Sequence, residues 1–252
     1  MSRVVIVAAM EREVQPLVRG WRRGELSSAS RNFVVFENKG CIAVISGIGC
    51  KNAVLAARAA VAQYRPATLI SAGLAGALIR SLKAGSLLLP NVVVDAADGS
   101  EYRCDTAGDV IGGGILVSAN EIAGAGAKQK LVERFHALIV DMEAAGVARV
   151  AQEAQIGFRC VKAISDEMDF VMPPMERFVS GAGDFESGKF ALWAAMRPWQ
   201  WSRVAALGRN SAKAAHALCQ RLEKDLAGPV TPAKVVTLER TKLPEMKDKV
   251  VY

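Results

Sequence analysis

The 252-residue chain has no long uninterrupted hydrophobic run. A membrane-spanning helix needs about 18 consecutive apolar residues, and no stretch of this sequence reaches that length. The apolar start "VVIVAAM" meets Glu11 and Arg12 too early for a secretory signal. These absences predict a cytoplasmic protein that does not cross a membrane.

Residues that bind metals or build familiar nucleophilic sites are also scarce. The chain has two histidines, which lie far apart, and five cysteines without any CxxC pair. It contains no P-loop, no GxGxxG fingerprint and no Ser-His-Asp motif. We therefore expect a reduced protein with no metal site and no cofactor.

The formal net charge is +7, but the basic residues are spread along the chain, and several follow Gly228. A nucleic-acid-binding protein would be expected to interleave basic and aromatic residues in a recognition module, and none is found. Attraction to an anionic lipid surface explains the charge equally well. We expect no nucleic-acid partner.

Apolar, β-branched runs alternate with helical patterns, which predicts an α/β fold with helices on the faces of a sheet. No linker separates two cores, so we expect one domain over residues 1–228 and a tail, 229–252, that is disordered or packed on the surface. The predicted strands include 3–9, 67–73 and 159–166. A turn is expected in the glycine-rich "GLAG" after the second of these, and an irregular or edge element near Pro90.

Acidic residues follow three of the predicted apolar strands. Glu13 comes after the first, Asp141 and Glu143 close "LIVDME", and Asp166 closes "CVKAISD". Ligands of open α/β sheets bind beyond the carboxyl ends of strands. A carboxylate at a strand end is often only a helix cap, but three such ends favour a shared site.

Two glycine-rich stretches add candidate substrate-binding positions. These are Ile48 and Gly49 in "SGIG", and Gly73 and Leu74 in "AGLAG". Glycine lets a backbone approach a ligand closely, but turns and tight packing use it for the same reason.

Five segments occur together in the order "VVIVAAMEREV", "SGIGCKNA", "SAGLAGAL", "VDMEAAGVA" and "KAISDEMD". In this order and spacing the chain resembles the purine nucleoside phosphorylase and nucleosidase superfamily. The resemblance is closest to the methylthioadenosine/S-adenosylhomocysteine nucleosidases. It implies a three-layer α/β/α fold with a mixed central sheet, a homodimer or higher oligomer, and cleavage of a purine N-glycosidic bond.

The resemblance also implies roles for individual residues. Glu13 would position or deprotonate the attacking water, and Glu143 would hold the ribose hydroxyls, with Met142 behind the ribose. Asp166, beside Ser165, would protonate the purine at N7. Adenine leaves poorly until N7 is protonated, and burial would help Asp166 to keep a proton at neutral pH.

Two positions depart from the nucleosidase pattern. Leu74 stands where those enzymes usually have a serine, and Ile122 falls about where they have a phenylalanine against the base. The segment from Asp95 to Gly114 is also shorter than their loops, which predicts a more open pocket at the 5′ side of the nucleoside.

Three of the four tryptophans lie between Trp193 and Trp201, among arginines. Helix packing explains such residues, but a bilayer surface also selects tryptophan beside basic residues. This stretch and "MPPMERFV" resemble the hopanoid-associated branch of the superfamily, which is implicated in removing adenine from adenosylhopane.

The leading hypothesis is therefore an enzyme that releases adenine from a 5′-substituted, lipid-linked adenosine, with peripheral membrane contact. Hydrolysis and phosphorolysis both stay open, with phosphate as the co-substrate in the second case. One alternative is an ordinary methylthioadenosine/S-adenosylhomocysteine nucleosidase acting on a small molecule. The other is a nucleoside-binding sensor that has lost turnover.

Overall fold

The computed structural model describes residues 3–29, 31–105, 113–181 and 183–227. The predicted tail 229–252 lies outside the described residues. The strands are β1 (Val4–Ala8), β2 (Arg22–Ser27), β3 (Asn32–Asn38), β4 (Cys41–Ile45), β5 (Thr68–Ala77), β6 (Leu87–Leu88), β7 (Val92–Asp95), β8 (Glu101–Arg103), β9 (Ile115–Ser118), β10 (Ile139–Asp141) and β11 (Gly157–Asp166). The helices are α1 (Glu11–Val18), α2 (Cys50–Tyr64), α3 (Ala125–Phe135), α4 (Ala144–Glu153), α5 (Ser187–Ala195) and α6 (Trp201–Ala227), with short 3-10 turns at Met175–Phe178 and Pro198–Gln200.

The strands form one mixed sheet in the order β2-β3-β4-β1-β5-β10-β9-β7-β8, with β11 paired to β5 off this path and β6 paired to β11. Strand β1 pairs in parallel with β4 and β5, and β11 runs parallel to β5 along its length. Strand β10 pairs with β5 in the antiparallel sense. The carboxyl ends of β1 and β11 therefore meet beside the second half of β5, where predicted site residues lie.

Side chains of β1 alternate between two hydrophobic cores, as the period of a strand requires. Val5 and Val7 join a core that includes buried alanines of α2 and α4. Val4 and Ile6 join a second core, on the opposite face, with residues of α1 and α6. Helices thus cover both faces of the sheet, which confirms the predicted three-layer α/β/α fold.

The predicted turn in "GLAG" is wrong, because β5 continues through it to Ala77. Its neighbour β11 stays paired with it as far as Gly76, which keeps this glycine-rich backbone extended. The chain breaks at Pro90 as predicted, but β7 lies between β9 and β8 and is not an edge strand. Helix α3 and strands β2 and β8 were not predicted.

Among the residues that the structure describes, no helix combines the length and the apolar character that crossing a bilayer requires. The longest, α6, carries several charged side chains and packs against α1 and β11.

Candidate active site

A cavity of about 520 Å³ opens at the carboxyl ends of β1, β10 and β11 and beside the second half of β5. It is lined by eight of the ten predicted site residues: Glu13, Ile48, Leu74, Ile122, Met142, Glu143, Ser165 and Asp166. These residues lie far apart in the sequence and come together because their strands are neighbours in one sheet. The volume is within the range of about 300–1,000 Å³ that is usual for small-molecule sites.

Gly49 and Gly73 are the two predicted site residues that do not line the cavity, and contact between them and substrate stays a prediction. Gly49 has a φ of 100°, which side chains disfavour, and its N–H donates a 2.7 Å hydrogen bond to Glu143 Oε1. A Cβ atom on Gly73 would lie 3.3 Å from Glu13 Oε2. Gly49 thus binds one carboxylate of the site through its backbone, and Gly73 leaves room for another.

Glu13 lies in the first turn of α1, and only 3% of it is exposed. Its Oε2 accepts hydrogen bonds from the backbone N–H groups of Ala9 and Met10, both at 3.1 Å. Burial raises the pKa of Glu13, and the Met10 amide and the Lys162 ammonium oppose that rise. These two hydrogen bonds from backbone amides fix the position of the carboxylate at the cavity wall.

Glu143 precedes α4 and accepts hydrogen bonds from Gly49 N–H at 2.7 Å and from Met142 N–H at 3.3 Å. Burial and the adjacent Asp141 carboxylate raise the pKa of Glu143 to about 7. Glu143 therefore titrates closer to neutral pH than an exposed glutamate does.

Asp141, the other carboxylate of "DME", has a structural role. Its Oδ1 accepts a 2.6 Å hydrogen bond from Ser118 Oγ, and its Oδ2 accepts one of 3.0 Å from Ala144 N–H at the start of α4. Oδ2 is also 2.8 Å from Lys162 Nζ, and neither side chain of this pair is more than 2% exposed. Asp141 thus anchors β10 to β11 and α4.

Lys162 is a buried cation behind the carboxylates, which sequence reasoning missed. Its Nζ also donates to Ser71 Oγ at 3.1 Å. Burial alone would lower the pKa of Lys162, but nearby anionic groups, Asp141 and Glu143 among them, outweigh burial and raise it. A lysine inside an apolar strand was the available signal, because buried lysines are rare unless paired.

Asp166 ends β11 and is 5% exposed. Its Oδ1 accepts a 2.9 Å hydrogen bond from Ser165 Oγ, and its Oδ2 lies 2.6 Å from Lys128 Nζ. A Cβ atom on Gly76, in the neighbouring strand β5, would lie only 2.8 Å from Oδ2. The second glycine of "GLAG" thus leaves room for the Asp166 carboxylate.

Lys128 was also missed, because α3 was not predicted. Its side chain lines the cavity, is 2% exposed, and donates a further hydrogen bond to the Glu167 carbonyl oxygen at 3.0 Å. Lys128 thus places an ammonium group in direct contact with the predicted acid, Asp166.

The other end of the cavity is an apolar arm, formed by the segment before α5 and by α5 and α6. Its lining residues are Met172, Met175, Val179, Phe185, Phe190, Val204 and Leu207. Phe190 stacks on Trp193 with ring centroids 5.8 Å apart, and the Arg12 guanidinium lies 5.2 Å from the centre of the Phe185 ring. The arm offers a path for a hydrophobic group that extends from the carboxylates.

An exposed patch adjoins the arm on α5, on the turn after it and at the start of α6. It consists of Leu192 (64% exposed), Met196 (61%), Trp199 (70%) and Trp201 (55%). The predicted shorter loop on the 5′ side falls partly on residues 106–112, which lie outside the described residues.

Comparison with known proteins identifies related sequences and structures. The model of the phosphorylase superfamily matches residues 3–109 and 104–178. A curated relative is the 5′-methylthioadenosine/S-adenosylhomocysteine nucleosidase of Staphylococcus epidermidis, 29% identical over 196 residues that cover 64% of this chain and 85% of that protein.

Solved structures show the same fold. The 5′-methylthioadenosine nucleosidase of Arabidopsis thaliana has a TM-score of 0.69 at 19% identity, covering 90% of this chain and 95% of that chain. The futalosine hydrolase of Helicobacter pylori has a TM-score of 0.64 at 20% identity, covering 88% and 98%. With a family model matching most of its length, the chain belongs to the phosphorylase superfamily, as its motifs predicted.

Proposed function

We propose that this protein cleaves the N-glycosidic bond of a 5′-substituted adenosine and releases adenine. The observation that carries the proposal is the convergence of buried Glu13 and Asp166 and partly buried Glu143 on one cavity of nucleoside-compatible size. Nucleosidase names among the relatives support the same class of reaction.

The arrangement assigns one task to each carboxylate. Glu13 orients and deprotonates the attacking water, because its Oε2 is already held by two backbone amides. Glu143 accepts hydrogen bonds from the ribose hydroxyls and stabilises the positive charge that develops on the sugar. Asp166 faces N7 of the base, with Ser165 holding its other oxygen.

Apolar residues complete the nucleoside site. Met142 supplies a polarizable wall behind the ribose. Leu74 and Ile122 line the same cavity and pack against the nucleoside through aliphatic contact. No metal or cofactor takes part in this scheme.

Water is the expected acceptor of the ribosyl group. Phosphate would need several arginine or backbone donors around one point. Among the described residues that line the cavity, Arg12 is the only arginine, and its guanidinium lies over Phe185. We therefore expect adenine release without phosphate, and a strict phosphate requirement would show phosphorolysis instead.

The apolar arm favours a hydrophobic 5′ substituent of the kind carried by adenosylhopane. Methylthioadenosine has only one methylthio group to place there, whereas a hydrocarbon chain would cover Phe185, Phe190 and Leu207. Each buried methylene contributes about 0.8 kcal/mol, or roughly a fourfold gain in binding.

The exposed patch supplies a route for such a substrate. Trp199 and Trp201 lie among arginines, which suits the interface of an anionic membrane, and the patch adjoins the arm. The protein is then a cytoplasmic enzyme that contacts the bilayer peripherally, without spanning it. Family resemblance further suggests a homodimer, which light scattering on the purified protein would test.

The decisive experiment compares methylthioadenosine with 5′-alkyl adenosines of increasing length, each with and without phosphate, and measures free adenine by chromatography. We expect kcat/KM to rise with chain length until the arm is filled. The Asp166→Asn variant, which keeps the shape but lacks the acid, is the negative control.

The outcomes separate the candidate functions. Turnover of methylthioadenosine with no gain from longer chains would favour an ordinary methylthioadenosine/S-adenosylhomocysteine nucleosidase. Tight nucleoside binding with no adenine from any substrate would identify a sensor and refute the proposed activity.

A further inference from the structure

The base end of the cavity holds a buried ion pair between Lys128 and Asp166. The Lys128 Nζ atom lies 2.6 Å from Asp166 Oδ2, with the two side chains 2% and 7% exposed. Both residues line the cavity that we assign to the nucleoside. The pair therefore lies within reach of a bound purine.

Both oxygens of Asp166 already accept a hydrogen bond, one from Lys128 and one from Ser165 Oγ at 2.9 Å. A carboxylate held by an ammonium group is stabilised in its ionised form. An N–H donor of Lys128 therefore lies directly behind the carboxylate that faces the base.

The surroundings of Lys128 favour a role in supplying a proton to Asp166 over a role in merely holding Asp166 in place. Its second contact is the neutral carbonyl oxygen of Glu167 at 3.0 Å, so among the described residues Asp166 is the one carboxylate that is hydrogen-bonded to it. The Glu167 carboxylate turns away and pairs with Lys83 at 2.9 Å, where both side chains are more than a third exposed. A purine that covers the pair would remove the remaining water and weaken the hold of Nζ on its proton.

We propose that Lys128 and Asp166 act as one acid, in which Lys128 supplies the proton that leaves with the base. This inference rests on the proposed function. An N–H bond of Nζ breaks and an O–H bond forms on Asp166; that O–H bond then breaks as N7–H forms. The electron pair of the C1′–N9 bond passes into the purine, which departs neutral.

The other half of the reaction balances this step. Water bonds to C1′ through its oxygen and gives a proton to Glu13. Lys128 is left neutral and regains a proton from solvent after adenine departs, while Glu13 returns its own. Asp166 contacts the base, and Lys128 acts through it.

The test uses Lys128→Gln, which keeps a hydrogen-bond donor, and Lys128→Arg, which keeps the charge but does not release a proton in proteins. With methylthioadenosine we expect both variants to lose about 100-fold or more in kcat, the usual weight of a general acid. KM should change less than about threefold, because the loss lies in the chemical step and not in binding. The same limit should hold for the affinity for 5′-methylthiotubercidin, an analogue that lacks N7.

A substrate already methylated at N7 provides the second arm, because its base leaves without a proton. Lys128→Gln should retain wild-type turnover of N7-methylated methylthioadenosine. Equal losses on both substrates would show that Lys128 merely holds the site together and would overturn the inference. Full activity of Lys128→Arg would do the same, because charge alone would then suffice.

Failure of this inference can be told apart from failure of the proposed function. Wild-type protein that releases no adenine would refute the function, and the inference with it. Active wild-type protein together with fully active Lys128→Gln would refute the inference alone.

Discussion

At the scale of single residues, the site depends on carboxylates that are buried or partly buried and that all accept hydrogen bonds. Glu13, Glu143 and Asp166 each accept hydrogen bonds from groups that were not predicted as their partners. The glycines of "AGLAG" belong to the same arrangement. Gly73 and Gly76 leave the space in which the Glu13 and Asp166 carboxylates lie.

The pKa of Glu143 leads to a prediction about activity and pH. Burial and Asp141 raise this pKa to about 7, and the ribose requires the ionised form. The ionised fraction falls as pH drops through 7, so kcat/KM should fall by about tenfold per pH unit below that value. Rates of adenine release between pH 5 and 9 would measure it.

The Glu143→Gln variant should lose activity. Its kcat/KM should also no longer fall below pH 7 because of Glu143, so that only the pH dependence contributed by Glu13 is left. Glu153→Gln, which changes an exposed carboxylate paired with Arg58, should keep the wild-type profile. An unchanged limb in Glu143→Gln would assign the titration to another group.

At the scale of elements, a buried charge pair ties the carboxyl end of β10 to the middle of β11. Lys162 on β11 and Asp141 on β10 lie 2.8 Å apart with almost no exposure. The two strands are not direct neighbours in the sheet, since β5 pairs with both. The ion pair therefore bridges across β5 and fixes the positions of Glu143 and Asp166 relative to each other.

Removing one partner of this pair should be costly. The Lys162→Met variant would leave Asp141 buried without its counter-ion, and we expect a loss of about 3–5 kcal/mol in the free energy of unfolding. Urea denaturation would measure it. Arg58→Ala, which breaks an exposed pair with Glu153, should cost no more than about 1 kcal/mol.

The double variant Lys162→Met/Asp141→Asn tests the cause. Because the uncompensated carboxylate is removed as well, it should be more stable than Lys162→Met alone. Strictly additive losses would show that the two side chains contribute separately.

At the scale of the whole molecule, the polar and apolar residues of the cavity come from different parts of the fold. The carboxylates lie at the strand ends, and the arm leads toward α5, where the exposed patch lies. A lipid-linked nucleoside could therefore keep its hydrocarbon in a bilayer while its base reaches Asp166. The patch and the catalytic groups would then act on one substrate.

Vesicle binding should report this arrangement. The Trp199→Ser/Met196→Ser variant should bind anionic phosphatidylglycerol vesicles about tenfold more weakly in co-sedimentation, because it loses large apolar side chains from the patch. Leu55→Ser, an exposed apolar position on α2 at the other face of the sheet, is the control.

High salt separates apolar insertion from attraction of charge. Binding by the patch should persist in about 0.5 M salt, because exposed charges are screened at that ionic strength whereas apolar contact is not. Complete loss of wild-type binding in salt, or equal binding by the double variant, would argue against insertion of the patch.

The elements that could be predicted from the sequence are those with a clear local pattern of residues. The apolar, β-branched run of β1 and the alanine-rich α2 follow from local propensity and period. The prediction was wrong or missing where an element depends on contacts with neighbouring strands or helices. Strand β5 continues through Gly73 and Gly76 because β11 pairs with it, and α3, with a polar and glycine-containing start, gains its place by packing beside β9.

The sequence by itself determined the fold class, the superfamily and the positions of the three acids, because apolar strands that end in carboxylates are local patterns. Only the tertiary structure decided which charges meet. Lys162 pairs with Asp141, 21 residues before it in the sequence. Lys128 pairs with Asp166, 38 residues after it. Such contacts depend on sheet order and helix packing, which no local pattern encodes, and they set the charge state on which the chemistry depends.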